Sequence, residues 1–264
     1  MKKGLIVLSF VLSCSFVANA QFGKIKIDKV ASAASKGVKS LTISDEEVVQ
    51  YTNEYMKWMD EHNPLCKTTD KDAGKKAIAK RLANIASAVP ADLVKQYNLD
   101  IQAYHVIDVN AFACANGSIR VFAGLMDLMT DDQILAVIAH EIGHVVNKDS
   151  KDAFVAALRM SALKETAGAI GGGAATALTD SQLGNLAESL GNAQFSQKQE
   201  NGADDYSFDF LKKTAKGSQN MAGSLGVLLS LQEEAGTPEK SKYSKLFSSH
   251  PDLKKRIERL EKKK

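Results

Sequence analysis

Apolar residues recur at three- and four-residue intervals along most of this chain, and they alternate singly in one short region only. From Ser44 to about His62, Val48, Tyr51, Tyr55, Trp58 and Met59 share one helical stripe. Ser44 with Glu46 and Glu47 supplies a capping box at its start. Asn63-Pro64 reads as a turn, and a second helix is predicted from roughly Asp70 to Val89. Between Ile101 and Ala123 the period becomes two. Ala103, His105 and Ile107 alternate with Tyr104 and Val106, Asn116-Gly117 is a hairpin signal, and Ser118 to Ala123 is a second short strand. Thr130 and Gln133 then cap a helix running to about Asn147. An Ala/Gly-rich segment follows, Ala153 to Ala177, in which Gly171 to Gly173 weaken any helix. Further helices are predicted at Ser181 to Gln194, Ser196 to Lys213, about Ala222 to Glu234, and Pro251 to Lys264. The last has Leu253, Ile257 and Leu260 on one stripe and proline at its first position. The pattern contains no internal repeat. It predicts an α+β fold, mostly helical, with one small sheet.

The N-terminus departs from this pattern. Lys2 and Lys3 precede an apolar stretch from Leu5 to Val17 and then Ala18-Asn19-Ala20, an A-x-A cleavage site. Thirteen or so apolar residues are too few to span a bilayer, so residues 1–20 read as an export signal and the mature protein as periplasmic. Lipoprotein processing at Cys14 is the alternative; it would anchor the protein to a membrane, where it would associate peripherally. Residues 21–43 are small and basic and read as a linker or loosely docked arm, leaving 44–264 as a single domain. Without Lys2 and Lys3 the balance is 32 basic to 31 acidic residues, which is no nucleic-acid footprint. Arg159, Lys164 and Glu165 interrupt the Ala/Gly-rich segment and argue against a transmembrane span there. In an oxidising compartment Cys66 and Cys114 either form one disulfide or stay as two separate buried thiols. The pattern assigns no oligomeric state.

Chemistry enters at Ala136 to Asn147, AVIAHEIGHVVN. His140 and His144 lie four residues apart on an apolar helix, hence on one face, with Glu141 between them. Two imidazoles so placed can grip one metal ion, and H-E-x-x-H is the pattern of zinc peptidases. A catalytic zinc wants three protein ligands and an open position, so a third ligand must come from elsewhere. Glu200, in FSQKQENGADDYSFDF, is the best candidate, with Asp204 one turn later able to accept the free N–H of a ligand histidine. Of the other histidines, His62 ends a helix as a cap and His105 reads as a packed strand residue. His250, in SSHPDLKKRI, is either a helix-entry residue or a donor or gate at the metal.

Taken together, AHEIGHV, the S-x-x-x-E-x-x-A-D of Ser196 to Asp204, and the block from Asn110 to Leu125 resemble the HtpX/Oma-type gluzincin metallopeptidases, the group that includes the CAAX prenyl proteases. The likeness spans roughly Ser44 to Leu260 and is greatest to small periplasmic bacterial members. It implies a zincin-like core with a small edge sheet beside the H-E-x-x-H helix. It also implies one Zn²⁺ per chain held by His140, His144 and Glu200, Glu141 as general base and Asp204 as the outer carboxylate. His250 matches an H-P…R-I element of the family, with an oxyanion donor as its functional reading. Two positions depart from the pattern: Gln197 stands where Arg is common, and Gly202 where Glu often precedes Ala-Asp. Gly202 weakens its helix by about 1 kcal/mol relative to Ala. Asn110, Ala111, Phe112 and Ala113 could offer a sheet edge to an extended substrate; in the plainer reading, Phe112, Val121 and Phe122 only build core. The expected function is a zinc endopeptidase acting on protein or peptide substrates, unfolded or misassembled envelope proteins among them. The alternative is a zinc-containing chaperone or envelope-assembly factor with little proteolysis.

Overall fold

The computed structural model describes residues 43–164, 177–235 and 249–263. The export signal with Cys14, the arm up to residue 42 and the second half of the Ala/Gly-rich segment lie outside the described residues. In chain order the elements are α1 (Asp45–His62), β1 (Leu65–Cys66), α2 (Ala73–Ala86), α3 (Ala91–Tyr97), β2 (Asp100–Tyr104), β3 (Ala111–Ala113), β4 (Ser118–Phe122) and α4 (Ala123–Leu128). They continue with α5 (Asp131–Val146), α6 (Asp149–Lys164), α7 (Asp180–Gly191), α8 (Gln197–Lys213), α9 (Gln219–Ala235) and α10 (Leu253–Glu261). The expected mostly helical α+β chain, with a small sheet against the His140–His144 helix, is what forms. No described helix is long and apolar enough to cross a membrane.

Capping sets the helix starts. Ser44, Thr130 and Ser196 each accept a bond from the third helical residue, whose side chain returns to the cap backbone. Thr179 and Gln182 make a fourth such box and begin α7 earlier than Ser181. Several elements differ from the sequence pattern. Segments β1, α3 and α4 run only two to seven residues, too few to show a period. Helix α6 occupies the start of the Ala/Gly-rich stretch, where alanine favours helix and the glycine triplet lies beyond its end. Helix α10 begins at Leu253 rather than Pro251, because Asp252 takes a left-handed φ of 63° that no helix can include. The strand expected to reach Ile107 stops at Tyr104, so His105 is exposed rather than packed. His62 does cap its helix, its Nδ1 lying 2.8 Å from the Trp58 carbonyl.

The sheet has the order β1-β2-β4-β3. Strand β2 pairs in parallel with β4, Ala103 opposite Val121, while β1 and β3 flank them antiparallel. The hairpin at Asn116-Gly117 thus joins β3 to β4, not β2 to β4. Gly117 has a φ of +89°, and a Cβ there would lie 2.2 Å from the Tyr97 carbonyl, so only glycine fits. A buried Arg120 on β4 holds the sheet to α1: its Nε and Nη2 each lie 3.0 Å from the Asp60 carboxylate, which also accepts the Tyr104 hydroxyl. Cys66 and Cys114 are both free and buried, in two different apolar clusters, which excludes the disulfide. Burial lifts the Cys114 thiol to about 12, so it stays protonated and unreactive.

The larger cluster centres on α5, where Ile134, Leu135, Ile138 and Ile142 meet Leu82, Ile119, Leu125 and Leu211. Helix α8 lies directly across α5. The Ser207 hydroxyl donates to the Ala136 carbonyl at 2.7 Å, and a Cβ on Gly143 would come within 2.9 Å of the Ala203 Cα. The two helix backbones therefore meet at a glycine between the two histidines' ends of the motif and Glu200. Gly143→Ala adds one methyl group where backbone blocks it and should push α8 outward. We expect a loss of about 1–3 kcal/mol, read as a lower thermal midpoint. Metal content should fall too, although no polar side chain has changed; an unaltered midpoint would mean the helices are not in contact there.

Candidate metal centre

Helix α5 presents His140, Glu141 and His144 within a run buried from Ile138 to His144. Their residue types are paid for neither by solvent nor by surface: His144 is 0% exposed. The ring nitrogens His140 Nε2 and His144 Nε2 converge to 3.1 Å. Glu200 enters from the first turn of α8, also 0% exposed, with Oε2 and Oε1 each 3.6 Å from one of those nitrogens. Four ligand atoms, from His140, His144, Glu200 and His250, all lie within 4.8 Å of one another.

Carboxylates set the ring orientations. Asp204, one turn beyond Glu200, places Oδ1 3.0 Å from His140 Nδ1, and Asp149, at the start of α6, places Oδ2 3.0 Å from His144 Nδ1. A carboxylate beside Nδ1 selects the tautomer with its proton there, so both Nε2 atoms carry lone pairs. Two lone pairs facing each other at 3.1 Å repel unless a cation sits between them. The spacing also suits one: a tetrahedral zinc with bonds of 2.0–2.2 Å separates its ligands by about 3.4 Å, and the observed 3.1, 3.6 and 3.6 Å bracket that value. The residues fit a divalent metal with nitrogen and carboxylate ligands.

The α10 segment completes the charge balance. Arg256, 1% exposed, puts Nη1 2.5 Å from Glu200 Oε2 and donates through Nε and Nη2 to Asp204 at 2.8 and 2.6 Å. Burial by itself would raise the Glu200 carboxyl, but the His250 and Arg256 charges outweigh it and hold the group down to about 2. Asp204 is likewise held below the carboxylate range by its Arg256 and His140 bonds against the desolvation that opposes them. His140 is pushed down, chiefly by burial, which keeps the ring neutral as a ligand must be. His250 is pushed up: burial lowers it, and Glu200, 2.9 Å from its Nδ1, outweighs burial. Its Nε2 lies 3.9 Å from Glu141 Oε1. Phe195 stacks on the His144 ring, centroids 4.0 Å apart, and its N–H bonds the Ser249 carbonyl.

All of His140, Glu141, His144, Glu200, Asp204 and His250 come together, so His250 is no mere helix-entry residue. The loop from Tyr243 to Ser249 lies outside the described residues except at Ser249. The proposed substrate segment is split. Ala111 to Ala113 form the sheet edge, with β4 on one side only among the described strands, and Ala111 faces the site. The Phe112 ring instead packs 6.3 Å from Tyr104 and from Phe122, in the smaller core cluster; Asn110 accepts the Phe122 N–H through its carbonyl. Asp149 and Arg256 were not singled out from the sequence. Asp149 was findable as the first acidic residue after the motif, and Arg256 as the arginine of the H-P…R-I element. Gly202 has a packing reason: a Cβ there would meet the Asn147 side chain at 3.2 Å.

Comparison with known proteins agrees with this geometry. The chain is 37% identical over 220 residues to metalloprotease LoiP of Escherichia coli K12, covering 83% of this chain and 81% of that one. It is 32% identical over 261 residues to metalloprotease YcaL of the same organism, covering 98% and 97%. A 54-residue segment, 19% of each chain, is 50% identical to protease HtpX of Actinobacillus pleuropneumoniae. Ste24p of S. mikatae superposes with a TM-score of 0.40 at 19% identity, over 89% of this chain and 60% of that one. The model of peptidase family M48 matches residues 71–264. The chain therefore belongs to peptidase family M48 and is a metalloendopeptidase.

Proposed function

We propose that the protein is an exported zinc endopeptidase that cuts extended or misassembled proteins of the cell envelope. The observation that carries the metal reading is the convergence of His140 Nε2, His144 Nε2 and the Glu200 carboxylate with both Nδ1 atoms held by carboxylates. His140, His144 and Glu200 would hold the ion. When bound there, zinc polarises the scissile carbonyl and acidifies the attacking water. Glu141 takes the proton of that water and delivers it to the leaving amine. His250, aimed at the same space from the opposite side, donates to the oxygen that becomes negative. Arg256 holds Glu200 and Asp204 still, and so orients a ligand and the His140 ring together. The edge of β3, unpaired among the described strands, would give an extended substrate backbone a partner beside Glu141, which favours unfolded chains over compact ones. Export and an envelope location rest on the N-terminal signal pattern of residues 1–20. A scaffold that only binds zinc has no use for a buried carboxylate beside its ligands, so Glu141 favours the enzyme over the chaperone.

Replacing Glu141 with Gln keeps the shape and removes the proton acceptor. Zinc should stay near one per chain while casein cleavage falls by a factor of about 100 or more; loss of zinc along with activity would give Glu141 a structural job instead.

Metal affinity separates ligands from the groups that orient them. His140→Ala or Glu200→Ala should empty the site, whereas Asp204→Ala and Asp149→Ala should weaken zinc by roughly 10- to 100-fold. Competition with a chromogenic chelator measures both classes. Full metal in Glu200→Ala would move the third ligand elsewhere.

His250→Ala tests the oxyanion role on a short peptide. We expect kcat to fall about 100-fold with KM nearly unchanged. A rise in activity would show instead that His250 occupies the open metal position and holds the enzyme closed.

A further inference from the structure

Beside the metal centre lies a pocket lined in part by His140, Glu141 and His250. Its walls are Ala111 of β3, Leu125 of α4, Val137 of α5, and Met221, Leu225 and Leu228 of α9. All but Val137 belong to the buried core, yet they leave a space rather than closing on one another. Two of the polar groups in the lining are already occupied. The Ser224 hydroxyl donates to the Met221 carbonyl at 2.8 Å, and the Arg256 guanidinium is committed to Glu200 and Asp204. The rest of the lining is apolar apart from His140, Glu141 and His250, and an unpartnered charge carried in among those apolar side chains is strongly disfavoured.

We propose that this pocket is the specificity site: it seats the side chain of one residue flanking the scissile bond and selects a small aliphatic one, alanine to valine in size. This rests on the peptidase reading given above. Position supports it, because a backbone lying along β3 with its carbonyl at the metal passes Ala111 and Glu141, which both line the pocket. Size supports it as well. The free volume is about 30 Å³, whereas a cavity that takes a benzene ring measures about 150 Å³. An aromatic side chain enters only if a wall gives way. Met221 is the wall residue best able to do so, being unbranched, and it is the residue that sets the upper size limit.

Cleavage of a mixed peptide library, with the cut bonds read by mass spectrometry, tests this with the zinc-loaded protein. Wild type should show alanine or valine at one fixed position beside the cut, with Asp and Trp there disfavoured by about 100-fold in kcat/KM. Met221→Ala should shift that position towards leucine and phenylalanine, and Leu228→Phe towards glycine and alanine. Met221→Leu keeps the volume and should keep the wild-type profile, which separates pocket shape from folding damage. A position with no preference, or variants with wild-type profiles, would overturn the pocket and leave the peptidase reading intact. If wild type cuts nothing, the peptidase reading fails, and binding decides the pocket. Zinc-loaded Glu141→Gln should bind a peptide carrying valine at least ten times tighter than one carrying Asp or Trp at the same place, and equal affinities would sink the proposal.

Discussion

Burying several carboxyl groups together is the constraint on which this structure turns. Glu141, Asp149, Glu200 and Asp204 all lie inside the protein around two imidazoles. An isolated buried carboxylate costs several kcal/mol, and neighbours of the same sign add to that cost. Arg256 is the one fully buried guanidinium against this group among the described residues, and it reaches only Glu200 and Asp204. His250, buried 2.9 Å from Glu200 and raised by it, adds a second positive charge, and two cannot balance four carboxylates. Together with Arg256 and a charged His250, a divalent cation among the two Nε2 atoms and Glu200 would balance the four carboxylates at the point where the lone pairs collide, so the polar interior and the metal requirement are one electrostatic problem.

The fold serves that problem by bringing distant segments to one seam. Helix α5 contributes two rings and a carboxylate, α8 crosses it at Gly143 and Ala203, and α10 inserts Arg256 against α8. Backbone contact at the glycine brings Glu200 within 3.6 Å of both rings. A bulkier seam would hold the helices at the usual separation of 8–10 Å and leave a short carboxylate side chain out of reach. Because the ligands come from segments sixty residues apart, the site exists only in the folded chain, and metal binding must add to folding stability. The apolar cluster on the other side of α5 supplies the rigidity: its isoleucines bury the helix face opposite the polar groups.

The histidine pair and Glu141 could be read from sequence because helix geometry alone puts residues four apart on one face. Glu200 and Asp204 were legible for the same reason, helped by the capping box at Ser196 that fixes where their helix begins. What escaped was non-local. Asp149 and Arg256 meet the site through loops whose course no period encodes, and the parallel pairing of β2 with β4 was hidden by a hairpin signal that belongs to β3. The cysteines show the same limit. Their spacing allowed a bridge, and packing put them in separate clusters. Even the misplaced start of α10 has this origin. Asp252 accepts a left-handed φ so that the chain can turn from His250, over the metal centre, into a helix that returns Arg256 to it.

That turn explains why one short segment carries two roles. His250 and Arg256 are six residues apart, and both contact Glu200, on Oε1 and Oε2 respectively. With both oxygens engaged, the carboxylate cannot rotate freely, so its approach to the metal is set by α10 rather than by its own helix. A displacement of α10 would shift Glu200, His250 and one border of the adjoining pocket in the same movement. The geometry of the cluster is thereby coupled to the docking of a single C-terminal helix, anchored by Leu253 and Leu260 in the core and by Arg259 on Asp205. The most exposed point of control on this site is thus not the metal helix, which is buried from Ile138 to His144, but the seam between α8 and α10.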